Sequence, residues 1–268
     1  KLLALSLLRG IGPATLRKLA ALPDFEMTPV EGLAAKMPAL AKALSDSAWS
    51  EALDGAEVQV DRAVADGARI LSRLDEDYPA LLSSTEDDPV LLYVKGTLAP
   101  TPARSVAIIG TREPTAHGRI VAEKITTFFV EQGWSVVSGL ALGCDAIAHR
   151  TTLAAKGHTV AVLAHGLQTI APSQHRALAE DILAGGGALV SQFPYGTAPL
   201  PPHFVKRDRT QAGLAQGVVM VQSDLKGGSL HAARAALNYG RWLAVPYPTD
   251  RDRGASEAKI QANLLLAD

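Results

Sequence analysis

Cysteine is all but missing from this chain: Cys144 stands alone in 268 residues. No intramolecular disulfide can form, and cysteine-rich metal centres are excluded. His158, His165, His203 and His231 do not fall at metal-ligand spacings, so no metal is expected. Aromatic residues are scarce, at 5% against a hydrophobic total of 47%, so the core must be mainly aliphatic. No apolar run approaches the roughly 18–20 residues of a membrane span. The opening Leu2-Leu3-Ala4-Leu5 soon meets Arg9 and Gly10, so no signal peptide is expected either. Together these absences point to a reducing cytoplasm and away from membranes.

Catalytic signatures are missing too. There is no Walker lysine loop, no G-x-S-x-G elbow and no complete G-x-G-x-x-G fingerprint, so no nucleotide cofactor is expected. Cys144, Asp145 and His149 do sit close together on an expected helix. Nothing else supports a nucleophile there. Asp145 is read as a cap or a partner of loop N–H groups, and His149 as a helix–strand contact.

Net charge is −1, so the protein is not globally basic. Its distribution is uneven. Residues 1–100 carry 10 Lys/Arg against 15 Asp/Glu, and residues 101–268 carry 16 against 12. The later part can present a local basic face to phosphates while the first stays acidic.

Periodicity divides the chain near residue 66. Residues 1–66 read as a small all-helical domain, with Leu5, Leu8, Leu16 and Leu19 at helical spacing. The run Gly10-Ile11-Gly12-Pro13 between them is like the turn of a helix-hairpin-helix. Residues 67–268 read as an α/β domain. Its first part holds the turns Asp77-Tyr78-Pro79 and Asp87-Asp88-Pro89 and an extension strand near 90–95. From Ser105, strands are expected at 105–110, 134–138, 159–164, 188–191, 218–222 and 242–246. Helices are expected near 116–131, 145–156, 174–184, 207–215 and 229–239. Continuous Val/Ile/Ala/Leu strands separated by helices imply a Rossmann-like, doubly wound, mostly parallel sheet.

Ligands of such sheets bind beyond the carboxyl ends of the strands, and unusual residues gather there. Gly110-Thr111-Arg112, Ser138-Gly139 with Gly143, and Lys226-Gly227-Gly228-Ser229 follow three of the strands. Glycines let backbone approach an anion, and helix N-termini offer free N–H donors. Ser138-Gly139 and Gly227-Gly228-Ser229 are therefore expected to cradle phosphate, with the Arg112 fork as a further donor. Lys206-Arg207-Asp208-Arg209 is a second basic cluster, expected at a helix start, where basic side chains oppose the dipole and so suggest a ligand-facing role. Phe204 beside it can stack a base if it is exposed.

These residues, in this order, resemble the DprA/Smf (DNA-processing protein A) family. The likeness rests on Val106-Ala107-Ile108-Ile109-Gly110-Thr111-Arg112, on Ser138-Gly139 through Ala148-His149, on Arg207-x-Arg209, on Gly228-Ser229-Leu230 and on Gly240-Arg241 through Pro246. The resemblance implies an extended Rossmann fold that is not an enzyme, binds single-stranded DNA and forms a homodimer. It further implies protection of incoming DNA and loading of RecA recombinase in natural transformation. By position, Arg112, Arg207 and Arg209 would take backbone phosphates, with Arg176 and Lys226 beside them.

The chain departs from the family pattern at Asp208, where the family usually has Asn, so a carboxylate sits between two expected phosphate ligands. It also has Gln192 for the usual Glu and Gly227 for the usual Ser. Two alternatives follow: a phosphoribohydrolase-type enzyme, or a divergent paralogue whose site has decayed. Against the former, no Asp or Glu occurs from Leu225 through Arg241, where that chemistry places its acid.

Overall fold

Apolar runs too short for helices and flanked by glycine or turn residues become the strands of one sheet. The computed structural model describes residues 1–267. Five helices come first: α1 (Leu2–Leu7), α2 (Pro13–Ala20), α3 (Val30–Lys36), α4 (Pro38–Ala43) and α5 (Asp46–Ala65). β1 (Ala68–Ser72), a short α6 (Ala80–Ser83) and β2 (Leu91–Gly96) follow. Then come β3 (Ser105–Ile109), α7 (Ala116–Glu131), β4 (Ser135–Ser138), α8 (Cys144–Ala154), β5 (Thr159–Leu163), α9 (Arg176–Ala184) and β6 (Ala188–Ser191). The chain continues through α10 (Pro201–Gly213), β7 (Gly217–Met220), α11 (Ser229–Asn238), β8 (Trp242–Ala244), α12 (Asp250–Gly254) and α13 (Gln261–Ala267).

The strands form one sheet in the order β1-β2-β6-β5-β4-β3-β7-β8. From β6 to β8 every pairing is parallel, and β2 and β1 extend the sheet with antiparallel pairings. This is the mostly parallel, Rossmann-like fold expected. Alternation along β3 divides its side chains between two layers. Val106 and Ile108 share a cluster with Ala122 of α7 and Ala148 of α8. Ala107 and Ile109 share one with Ala212 of α10 and Ala232 of α11. The chain runs outward from β3 through β4, β5 and β6, then returns to place β7 on the other side of β3. The loops after β3 and β7 therefore lead to opposite faces and open a crevice between them.

Two expectations need correction. Residues 68–72 were not foreseen as a strand. They form β1, whose register pairs Ala68 with Lys95 and Ser72 with Leu91. The helix expected from residue 207 starts at Pro201 instead. Pro201 and Pro202 occupy its first positions, where a missing N–H costs nothing. Lys206-Arg207-Asp208-Arg209 is thus inside α10, and the dipole argument for a ligand-facing cluster falls away.

The helical N-terminal part is tied to the sheet. Leu5, Leu19, Leu33 and Leu40 belong to the same apolar cluster as Leu163, Leu178 and Ile182. The Gln59 side chain accepts from the Tyr195 N–H at 2.7 Å and donates to the Tyr195 carbonyl at 3.2 Å. The Tyr195 hydroxyl donates to Asp66, which also pairs with Lys95 at 2.6 Å.

The last segment is stapled to the crevice. Asn263, 1% exposed, accepts from the Ser223 N–H at 3.0 Å and donates to the carbonyls of Val221 and Pro246 at 2.8 and 3.2 Å. Asn263→Ala leaves these backbone groups unsatisfied. We expect about 2 kcal/mol lower stability in urea unfolding, at roughly 1 kcal/mol per lost bond and more per orphaned group. Limited proteolysis should then cut first near Lys259.

Candidate nucleic-acid interface

The crevice between β3 and β7 holds a cavity of about 440 Å³. Its wall is built by the residues after β3 (Gly110, Thr111, Arg112), the loop after β7 (Ser223, Asp224, Gly227, Gly228, Ser229) and one face of α10 (Phe204, Arg207, Asp208, Gln211). Close approach explains Gly110 in this wall and Gly143 behind it. A Cβ on Gly110 would lie 2.6 Å from the Cys144 sulfur. Gly143 has φ +73°, and a Cβ there would run into the carbonyls of Thr111 and Arg112. The turn into α8 therefore supports the backbone that carries Arg112.

Arg112 is solvent-exposed, and among the described residues no carboxylate lies within ion-pair distance of it. Its guanidinium carbon sits 5.6 Å from the centroid of the half-buried Phe204 ring, and that of Arg207 sits at the same distance. Cation–π attraction holds Arg112 over the cavity without consuming its hydrogen-bond donors. Gly228 and Ser229 open α11, where helix geometry leaves N–H groups without carbonyl partners. An anion entering the cavity meets the Arg112 fork on one side and this helix start on the other.

Ser138-Gly139 does not serve as the second cradle expected from sequence. The Asp145 carboxylate already accepts from the Gly139 and Ala141 N–H groups, each at 3.2 Å. Ser138 is buried and donates to the Ile108 carbonyl at 2.7 Å. The loop folds as an anion nest, and the anion is the protein's own.

Arg207 is 4% exposed, and its Nη1 and Nε groups are engaged. Nη1 donates to the carbonyls of Gly139 and Val162, the latter at 3.1 Å. Nε pairs with Asp208 at 3.1 Å, and Nη1 lies 3.9 Å from Asp145. With its oxygen turned to the guanidinium, Gln211 accepts from Nη1 and Nε at 3.1 and 3.0 Å. Arg207 touches the cavity, yet its first role is to hold the cavity's floor together. The other expected cations lie outside the cavity lining. Arg209 pairs with Asp87 at 3.0 Å, while Arg176 and Lys226 are exposed.

Lys259 was missed by the sequence reading. The stapled last segment brings it to the cavity, where it pairs with Glu113 at 2.7 Å. Asn263 was the available signal, since a buried Asn fixes whatever precedes it.

The local electrostatics are unusual. Burial, reinforced by Asp145, pushes the Asp208 carboxyl up to about 7 against the pull of Arg207 and Arg112. Burial also raises Asp145, opposed by Arg207 and by the loop N–H groups. Cys144 and His149 are tuned away from catalysis. Burial pushes the thiol up to about 12 and the imidazole down to about 3. His149 Nδ1 instead meets the Thr159 hydroxyl at 2.7 Å, the helix–strand contact expected of it.

A Rossmann-like sheet with a crevice at its switch point, lined by an unpaired Arg112 and a helix start, defines the class of protein. Comparison with known proteins makes this specific. The chain belongs to the family described as DNA recombination-mediator protein A, whose model matches residues 69–264. It is 41% identical over 173 residues to the DNA processing protein DprA of Bacillus subtilis, covering 64% of this chain and 58% of that one. It is 40% identical over 178 residues to the protein Smf of Escherichia coli, covering 65% and 46%. The matches thus span about half the length of these curated relatives. The solved DprA of Streptococcus pneumoniae superposes with a TM-score of 0.66 at 26% identity, covering 96% of this chain and 98% of that one. A DprA structure from Helicobacter pylori, described for its single-stranded DNA binding mode, gives 0.61 at 29% identity, covering 75% and 96%.

Gly143→Ala tests the support of Arg112. Forcing a side chain into this backbone conformation costs about 1–3 kcal/mol, and the displaced carbonyls must shift Arg112. A lowered melting temperature together with altered chemical shifts at Arg112 is the expected result.

Proposed function

We propose that this crevice binds the phosphate backbone of single-stranded DNA, and that the protein acts in recombination without being an enzyme. The observation that carries the reading is the free Arg112 fork held over Phe204, opposite the start of α11, around a cavity open to a strand. Gly110, Gly227, Gly228 and Ser229 let the backbone close on a phosphate, and the half-buried Phe204 lines the cavity where a base could stack on it. Arg176, Arg209 and Lys226 would extend contact along a longer strand, while Arg207 organises the floor. The Helicobacter pylori relative's description as a single-stranded DNA binder supports the same ligand class. In the wider reading the protein forms a homodimer, protects incoming DNA and helps load RecA recombinase during natural transformation.

Titration of a labelled oligonucleotide at increasing salt tests the DNA reading. Affinity should fall steeply, with a log–log slope of about −0.7 per phosphate contacted for single strands. Arg112→Ala should weaken binding by about tenfold or more and flatten that slope. Phe204→Ala should cost about 1–3 kcal/mol if the ring stacks a base. Absence of binding at low salt would reject the proposal.

A further inference from the structure

Three charged groups lie together under the cavity, and their signs do not balance. The Arg207 side chain is 5% exposed, Asp208 is 13% exposed and Asp145 is 9% exposed. One guanidinium thus faces two carboxylates where water cannot screen them. Buried charge is tolerated when paired, and a second carboxylate beside a single cation favours holding a proton. The two acids are not equivalent. Asp145 accepts from two backbone N–H groups, which stabilise its ionised form. Asp208 has only the Arg207 pairing, and it lines the cavity. Of the pair, Asp208 is the acid left to carry the proton.

Its position makes the proton matter. The space a Cβ on Gly228 would fill is 3.7 Å from an Asp208 oxygen, so the carboxyl faces the glycine loop across the cavity. A phosphate seated between Arg112 and that loop would sit beside Asp208. An ionised carboxylate there repels it, whereas a carboxylic acid can donate a hydrogen bond to it.

Resting on the reading of this crevice as a phosphate site, we propose that Asp208 gates it by protonation. The site accepts a DNA phosphate in the acid form of Asp208, and binding takes up one proton.

The charged groups around Asp208 can be assigned to their elements. Arg207 is its neighbour on α10, Asp145 comes from α8, and Arg112 follows β3. The stretch Gly227-Gly228-Ser229 at the start of α11 brings no charge, and neither does α6, which also packs on α10. Glu113, Asp224 and Lys259 line the rest of the cavity, and no histidine lines it among the described residues. With Asp208 raised to about 7, the sign follows. An entering phosphate raises its proton affinity further, so affinity is full below pH 7 and lost as pH rises.

The test is anisotropy of oligo(dT) carrying a pH-insensitive fluorophore, at fixed salt, from pH 6 to 8.5. The wild type should lose about tenfold in affinity per pH unit above 7. D208N should bind with a nearly flat profile and more tightly than wild type at pH 8.5. Calorimetry of the wild type in two buffers of different ionisation enthalpy gives a reading that needs no variant. Uptake should approach one proton at pH 8.5 and vanish at pH 6. Coincident pH profiles for the two proteins, or no proton uptake at pH 8.5 while DNA still binds, would overturn the gate and leave the DNA site standing. If neither protein binds at pH 6 and low salt, the site reading fails and the gate with it.

Discussion

Four pieces of chain meet at one buried guanidinium. Arg207 joins the carbonyl of Gly139 after β4, the carbonyl of Val162 within β5, the Asp145 carboxylate at the start of α8 and the Asp208 and Gln211 side chains of its own helix. A cation this deep is tolerated because its Nη1 and Nε groups meet carbonyl, carboxylate and amide oxygens. The consequences spread outward. Its charge supports Asp145 in ionised form, and Asp145 gathers the loop N–H groups that would otherwise face the crevice. Its bulk fills the space where residue 139 would carry a side chain, so only glycine fits there. The loop N–H groups of this half of the rim are consumed internally. On the other half, Arg112 and the start of α11 stay free of such internal partners.

The architecture was readable because buried parallel strands leave an unmistakable mark: runs such as Val106-Ala107-Ile108-Ile109, apolar on both faces. β1 left no such mark. Ala68-Arg69-Ile70-Leu71-Ser72 is an edge strand with one side toward solvent, and an exposed Arg interrupts its apolar character. The start of α10 was hidden by Pro201-Pro202, which reads as loop when its helix cannot yet be seen. Within the site, residue type was legible and role was not. Arg112 and Arg207 look alike in sequence, yet one is free and the other is buried and held through Nη1 and Nε. The difference lies in what β4, β5 and α8 bring near each of them, which is long-range information. Lys259 belongs to the same class, since its place depends on the contacts of Asn263 rather than on local pattern.

The helical N-terminal part is coupled to the sheet by more than apolar contact. Gln59 pairs with both backbone groups of Tyr195 in the loop after β6, and Tyr195 in turn reaches Asp66 at the end of α5. The loop after β6 leads directly into α10. The acidic first part of the chain therefore sets the path of the segment that delivers Phe204, Arg207 and Asp208, while contributing no residue to the cavity itself.

The Asn263 staple has a temporal meaning. A ribosome releases this chain from its amino end, and domains fold as units during that release. The strands that bound the crevice have all emerged once β8 is made. Ser223, Lys259 and the final wall wait for residue 263 to leave the exit tunnel. A nascent chain still held at the ribosome thus carries a nearly finished sheet with an unfinished mouth. The crevice therefore closes only after every strand of the sheet that bounds it has been made.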